Sequence, residues 1–384
     1  MLLDANNKEI DRISESSLTL SKGEGYSFTF AKSVSLAQGE INHFKIVALF
    51  DANKPDTTKV NITNLLFKPV KRVVIEKYTG QDCGFCPAGI LALEYLNKIY
   101  GDKVVPIAYH TYVGDSFESG MTDYVTNFLG LFGAPSAIIN RNGEVSSPMY
   151  NSTVDGVKDY AFSSPEENCW TDIVAKEMEV PTITDLDIMA IYDEQKGKVE
   201  VPVCTHFALS QSATNFGLML VVTEDSLDGY QRNYYSSVSD PDLGPWGAGG
   251  IYATEYSLYT FDDVARHIVG ISYYGEMGLI PTSVKAGEKY NTSISFNVPS
   301  TVAEMMNCKV TCMMIDANSG KVINVARAKV VTPEGIESVA QEEQDAHIPV
   351  LLYTLDGRRL SSLEGVHGLI IKKQGTKVKK ILIN

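Results

Sequence analysis

The sequence predicts a multidomain chain of α/β plus all-β class: an α/β segment between β-sandwich segments, closed by a small C-terminal β module. Three observations predict it. Residues 70–180 alternate short apolar runs with amphipathic stretches, the stretches on either side read as alternating strands, and residues 347–384 reverse the sign of the chain's charge. The length of 384 residues agrees, because a single core stops growing at roughly 250–300 residues.

Residues 1–68 hold strand-like stretches such as "YSFTF" and "FKIVALF" between turn-rich segments and are expected to form a partial, Ig-like β-sandwich segment. "RVVIEKY" opens the α/β domain at 70–180 as a nearly continuous apolar strand, the pattern of a sheet covered on both faces. "GILALEYLNKIY" follows at helical spacing, "VVPIAY" is the next strand, and "MTDYVTNFLGLF" reads as a helix. "SAIINRNGEVSS" reads as a hairpin turning at Asn142-Gly143, and "WTDIVAKEME" as a closing amphipathic helix. Residues 182–332 return to β as an expected sandwich domain, with a hairpin from "TDLDIMAIY" and "KVEVPVCTHFAL" and a Gly-rich surface loop at "DLGPWGAGGIY". Residues 333–346 are polar and acidic, a linker, and 347–384 form the C-terminal module. There is also an internal echo: Gly23 to Asp51 and Gly287 to Asp316 each carry a Tyr three positions after the Gly and a strand running into Asp-Ala-Asn. The echo implies that residues 1–68 are the last strands of a sandwich that lacks its opening strands.

Charge and cysteine usage narrow the function. A net charge of −14 lacks the basic footprint of a nucleic-acid binder. It is uneven, because residues 347–384 set seven basic residues against Asp356 and Glu364, a net +5, which leaves −19 for the rest. No apolar run reaches the 18 or more residues of a membrane span, and the first residues lack a signal-peptide core, so an export signal is expected to be trimmed or to lie upstream. Of the six cysteines, Cys83 and Cys86 are spaced as a CxxC pair. Cys308 and Cys312 share one strand face too far apart to bridge, while Cys169 and Cys204 read as small hydrophobes. No second CxxC or HxxxH completes a tetrahedral set around Cys83 and Cys86, and Asp225 and the triplet at 240–242 lack the alternation of a calcium loop. Neither a metal nor another cofactor is expected.

The stretch "YTGQDCGFCPAG" places the pair at a strand-to-helix junction. There the helix N-terminus offers unpaired N–H groups and partial positive charge to a thiolate, so Cys83 is the expected attacking sulfur and Cys86 the resolving one. Asp82 opposes this, because a neighbouring carboxylate disfavours the thiolate. Together with "GAPSAIINRNG", these residues resemble a thioredoxin-like domain. In particular they are similar to the outer membrane protein 28-related family of Bacteroidetes, whose motif Glu76, Tyr78, Thr79, Gly80, Cys83, Cys86 and Pro87 match. The resemblance implies a thioredoxin-like domain joined to a β-sandwich. It also implies a cis peptide at Pro135, a state of only about 5–6% of X-Pro bonds, with the backbone of Ala134 and the ring of Phe85 available to a substrate peptide. Asp82 stands where thioredoxins usually carry Trp. Glu76 and His110 are weighed as proton-transfer groups, each against a structural role.

"VLLYTLDGRRLSSLEGVHGLIIKKQGTKVKKILIN" resembles the C-terminal sorting domain of the type IX secretion system, through Asp356-Gly357-Arg358 at a turn, Gly365, and a Lys-rich closing strand. It implies secretion machinery as a partner and an extracytoplasmic, cell-surface, outer-membrane-associated or secreted location. Two functions stay open. One is an extracytoplasmic thiol–disulfide oxidoreductase acting on protein thiols or disulfides. The other is a cell-surface or outer-membrane-associated binding or adhesion protein that uses the α/β domain as a scaffold. Whether the chain is an enzyme, and its oligomeric state, are not fixed by the sequence.

Overall fold

The computed structural model describes residues 1–50, 54–112, 114–154, 157–164, 168–270, 272–333, 351–354, 359–360, 368–374 and 377–383. The Asp51–Asn53 end of the echo, residues 334–346 of the acidic linker, and Asp356, Gly357, Arg358 and Gly365 of the tail motif lie outside them. The chain divides into two compact units. One comprises Met1–Ala190 and Glu200–Val330, the other Ile191–Val199 and Val331–Asn384.

In the larger unit, Glu9–Asp11, Leu2–Asp4, Glu40–Phe50 and Lys54–Asn64 form, in that order, a four-stranded antiparallel sheet. The stretch 26–30, "YSFTF", is not paired as a strand, so the echo stops short of its first hairpin.

The main sheet runs through Val322–Val331, Cys308–Asp316, Phe216–Glu224, Val264–Val269, Val104–His110, Val73–Thr79, Ser136–Ile139 and Val145–Ser146. Val73–Thr79 and Val104–His110 pair in parallel, with Val73 opposite Val104 and Thr79 opposite His110. The register then passes to Val264–Val269 through Val264 opposite Ala108. Helix α1 (Pro87–Tyr100) is started by Pro87 in its first turn and stopped at Gly101, whose φ of 56° an L side chain would resist. Helix α2 (Gly120–Leu129) ends at Gly130 in the left-handed region, and helix α3 is Trp170–Glu179. Strand alternation sorts the residues: Val73 and Ile75 face Ala92, Leu96, Trp170 and Ile173 of α1 and α3. Val74, Val105 and Ile107 face the other way, against Val125, Leu129, Met219 and Met313. Both sheet faces are thus covered, which is why these strands are apolar throughout.

The expected fold class, a thioredoxin-like α/β domain flanked by Ig-like β-sandwich segments, is corrected by this architecture. The chain is mostly β, with three α-helices among the described residues. The strands of 216–331, read as a separate sandwich, extend the sheet that carries Val73–Thr79 and Val104–His110. A continuous apolar strand reports that both faces are covered but not what lies beside it, so the sequence pattern did not separate a small α/β sheet from the middle of a larger mixed one.

In the smaller unit, Arg359–Leu360, Leu351–Thr354, Gly368–Gln374 and Lys377–Ile383 form a four-stranded antiparallel sheet in that order.

One buried ion pair lies within the larger unit's core. Arg141 donates from Nε to Glu76 Oε2 at 2.7 Å and from Nη2 to Oε1 at 2.9 Å, while Nη1 reaches the Tyr273 carbonyl at 2.6 Å. Tyr109 donates its hydroxyl to the same carboxylate at 2.9 Å. Glu76 is fully buried, so Arg141→Leu strands a charge; the expected cost is about 3–5 kcal/mol in urea unfolding, mostly recovered by Glu76→Leu/Arg141→Leu. A single variant as stable as the parent chain contradicts this.

Candidate functional site

The candidate site is the turn between Val73–Thr79 and α1. Cys83 and Cys86 form a disulfide, with Cys86 at the N-cap of α1 and its N–H donating to the Cys83 carbonyl at 3.1 Å. Both are buried, Cys83 at 4% and Cys86 at 0% exposure.

A segment about 150 residues further along the chain covers the pair. Leu227–Arg232 and Tyr256–Phe261 form an antiparallel ribbon, and residues 231–235 run along the dithiol turn. The Gln231 side chain, itself fully buried, donates from Nε2 to the carbonyls of Cys83 at 2.9 Å, Gln81 at 3.2 Å and Gly80 at 3.3 Å. The main-chain N–H of Arg232 donates to the Gln81 carbonyl and that of Tyr234 to the Gly84 carbonyl, both at 2.8 Å. The Tyr235 hydroxyl reaches the Phe85 carbonyl at 3.4 Å. The turn's carbonyls are therefore largely taken by the chain itself. Glycine at 84 is required by this cover, since an added Cβ would collide with the Tyr234 ring.

The residues singled out by sequence fall in three places. Phe85 is half exposed and packs edge-on to Tyr234, with centroids 5.0 Å apart. The Ala134–Pro135 peptide is cis, and both residues are half-buried. Pro135 lies near the first turn of α1: a Cβ at Gly89 would sit 3.4 Å from Pro135 Cβ. Glu76 alternates onto the sheet face away from α1 and is taken by Arg141 and Tyr109. His110 is buried, with Nδ1 2.8 Å from Asp115 Oδ2 and its ring edge-on to Phe117 and Phe261. Asp115 also accepts from the main-chain N–H of Gln81 at 2.8 Å and so links His110 to the dithiol turn. Asp82 is exposed and accepts from the Tyr256 hydroxyl at 3.3 Å.

Sequence reasoning missed the cover. The Gly-rich stretch expected as a surface loop instead buries Leu243 and Trp246 against Ala88, Ile90 and Leu91 of α1. The available signal was aromatic density in this stretch: Tyr235, Trp246, Tyr252 and Tyr259 pack together, while Tyr230, Tyr234 and Tyr256 stay exposed. Among the described residues no three His, Cys, Asp or Glu side chains gather at metal-binding distance.

Comparison with known proteins places the chain in context. The model of the family described as outer membrane protein Omp28 matches residues 122–334, more than half of the chain. Among solved structures, the chain is similar to HBP35 of Porphyromonas gingivalis, at 14% identity over 83% of this chain and 99% of that one, with a TM-score of 0.45. It is also similar to a domain of the outer membrane lipoprotein Omp28 from the same organism, at 12% identity over 40% of this chain and 93% of that one, with a TM-score of 0.22. No curated protein matches.

Two outcomes are expected here. Gly84→Val forces Tyr234 outward at a cost of about 1–3 kcal/mol, so phosphine reduction of Cys83–Cys86, followed by alkylation and mass spectrometry, accelerates by about tenfold or more. An unchanged rate contradicts the cover. Burial, outweighing the Asp115 bond, holds His110 below its ordinary pKa of 6.5, so an NMR titration of its ring gives a midpoint below that value. Since the unfolded ring takes up its proton first, the stability held by the neutral ring is present above pH 6.5 and is lost as pH falls from there through the folded midpoint. A midpoint at or above 6.5 contradicts the assignment.

Proposed function

The chain belongs to the outer membrane protein Omp28 family, and from that premise we propose that it is an extracytoplasmic, outer-membrane-associated surface protein whose Cys83–Cys86 disulfide is structural. One observation carries the reading: both cysteines are buried, and Gln231–Tyr235 bond the carbonyls of their turn. Disulfide exchange needs in-line approach of a thiolate to an exposed sulfur, and with Cys83 at 4% and Cys86 at 0% exposure the turn presents little sulfur to an attacker. An oxidising compartment outside the cytoplasm is where such a disulfide persists. In this reading the turn is a scaffold, and binding falls to other surfaces. The basic C-terminal sheet, with its Lys-rich strand Lys377–Ile383, is proposed to be the module read by secretion machinery.

The alternative, exchange with protein thiols or disulfides by Cys83 with Cys86 resolving, is favoured by the position of the pair at the N-terminus of α1. Insulin reduction by the full chain, with Cys83→Ser as control, separates the two. The structural reading expects no turnover above the control and a disulfide that survives millimolar glutathione. Efficient turnover abolished by Cys83→Ser overturns it.

A further inference from the structure

A second feature of the larger unit is used by neither the disulfide nor its cover. A cavity of about 530 Å³ opens beside α1 and the strand Val104–His110, a volume in the range of small-molecule sites. One wall is apolar, formed by Ile90 and Leu93 of α1 with Tyr259 and Phe261 of the ribbon. Another carries Lys77, at 5% exposure, which reaches the cavity from the sheet face that α1 covers.

Lys77 is unlike the other buried cations there. Lys309 Nζ pairs with Asp225 at 2.6 Å and Asp263 at 3.0 Å, and Arg327 pairs with Asp263 at 2.7 Å. Among the described residues Lys77 Nζ has neither an ion pair nor a hydrogen-bond acceptor, and Asp263, already shared by two cations, acts on it only through space. The residue is nearly buried and no protein acceptor meets its ammonium, so what the ammonium meets is the cavity itself, where water or an anion supplies the acceptor. Burial pushes its pKa down to about 8, which leaves most of it charged at neutral pH. Arg72 and Lys329 line the same cavity and make no ion pair among the described residues. The lining as a whole sets five cations, Arg72, Lys77, Lys309, Arg327 and Lys329, against four acids, Glu94, Asp102, Asp262 and Asp263.

We propose that this cavity binds a small amphiphilic anion, its oxyanion head paired with the Lys77 ammonium and its apolar body laid against Ile90, Leu93 and Phe261. Arg72 and Lys329 add long-range attraction at the mouth. The site is independent of whether the disulfide is structural or exchanging.

The probe is 1-anilinonaphthalene-8-sulfonate, a sulfonate on an apolar body, titrated by fluorescence into the full chain, with decanoate as competitor. Saturable binding at one site, displaced by decanoate, is expected. Loss of one charge-assisted contact in Lys77→Met weakens it by about tenfold, while Lys77→Arg keeps it within about threefold. Lys329→Glu, a substitution at an exposed position, weakens it by about threefold and carries the test if Lys77→Met does not fold. Affinity unchanged in a folded Lys77→Met overturns the proposal, as does affinity unchanged in Lys329→Glu where Lys77→Met does not fold. So does association with anionic lipid vesicles alone, without binding of the soluble dye.

Discussion

The buried carboxamide of Gln231 is the contact on which the arrangement around Cys83 and Cys86 depends. One side chain meets the carbonyls of Gly80, Gln81 and Cys83, and the main chain of the next residues continues the pairing to Gly84. These acceptors must be satisfied wherever they are buried, since an unmade hydrogen bond there costs about 1–3 kcal/mol. The ribbon therefore closes the turn rather than resting on it. Once it is closed, the helix start, the disulfide and the side chains of Tyr235 and Trp246 all become interior features.

The same closure separates two kinds of chemistry that a CxxC motif leaves mixed. The helix N-terminus still favours a thiolate electrostatically. Access, however, is set by residues far away in sequence, and access governs exchange as strongly as the thiolate fraction does. Glu76 shows the same divergence between position and role. Its place in the motif suggests a proton carrier, but strand alternation turns it away from α1 and Arg141 consumes both of its oxygens. His110 reaches the turn only through Asp115, which anchors the Gln81 N–H.

What the sequence disclosed follows from what is local. Period and length placed Val73–Thr79, α1, Val104–His110 and the turn at Asn142-Gly143 before Val145–Ser146, because each depends on neighbours within a few residues. What it hid is long-range. The joining of the later strands to the first two rests on Val264 meeting Ala108, and no periodicity encodes which edge a strand will find. The cover was hidden for the same reason, and because glycines at 244, 247, 249 and 250 read as solvated loop when Gly250 in fact allows close approach to the Pro245 backbone. The apolar face of "YSFTF" gave a strand signal, but among the described residues no strand pairs with it.

The most direct test of the account is kinetic. If Gln231–Tyr235 seal the disulfide, reduction proceeds only after the ribbon opens. The reduction rate then levels off as phosphine concentration rises, at the opening rate that hydrogen exchange reports for the Arg232 and Tyr234 amides. A rate that climbs in proportion to phosphine without limit, faster than those amides exchange, would contradict the account and return Cys83 to the role of an accessible nucleophile.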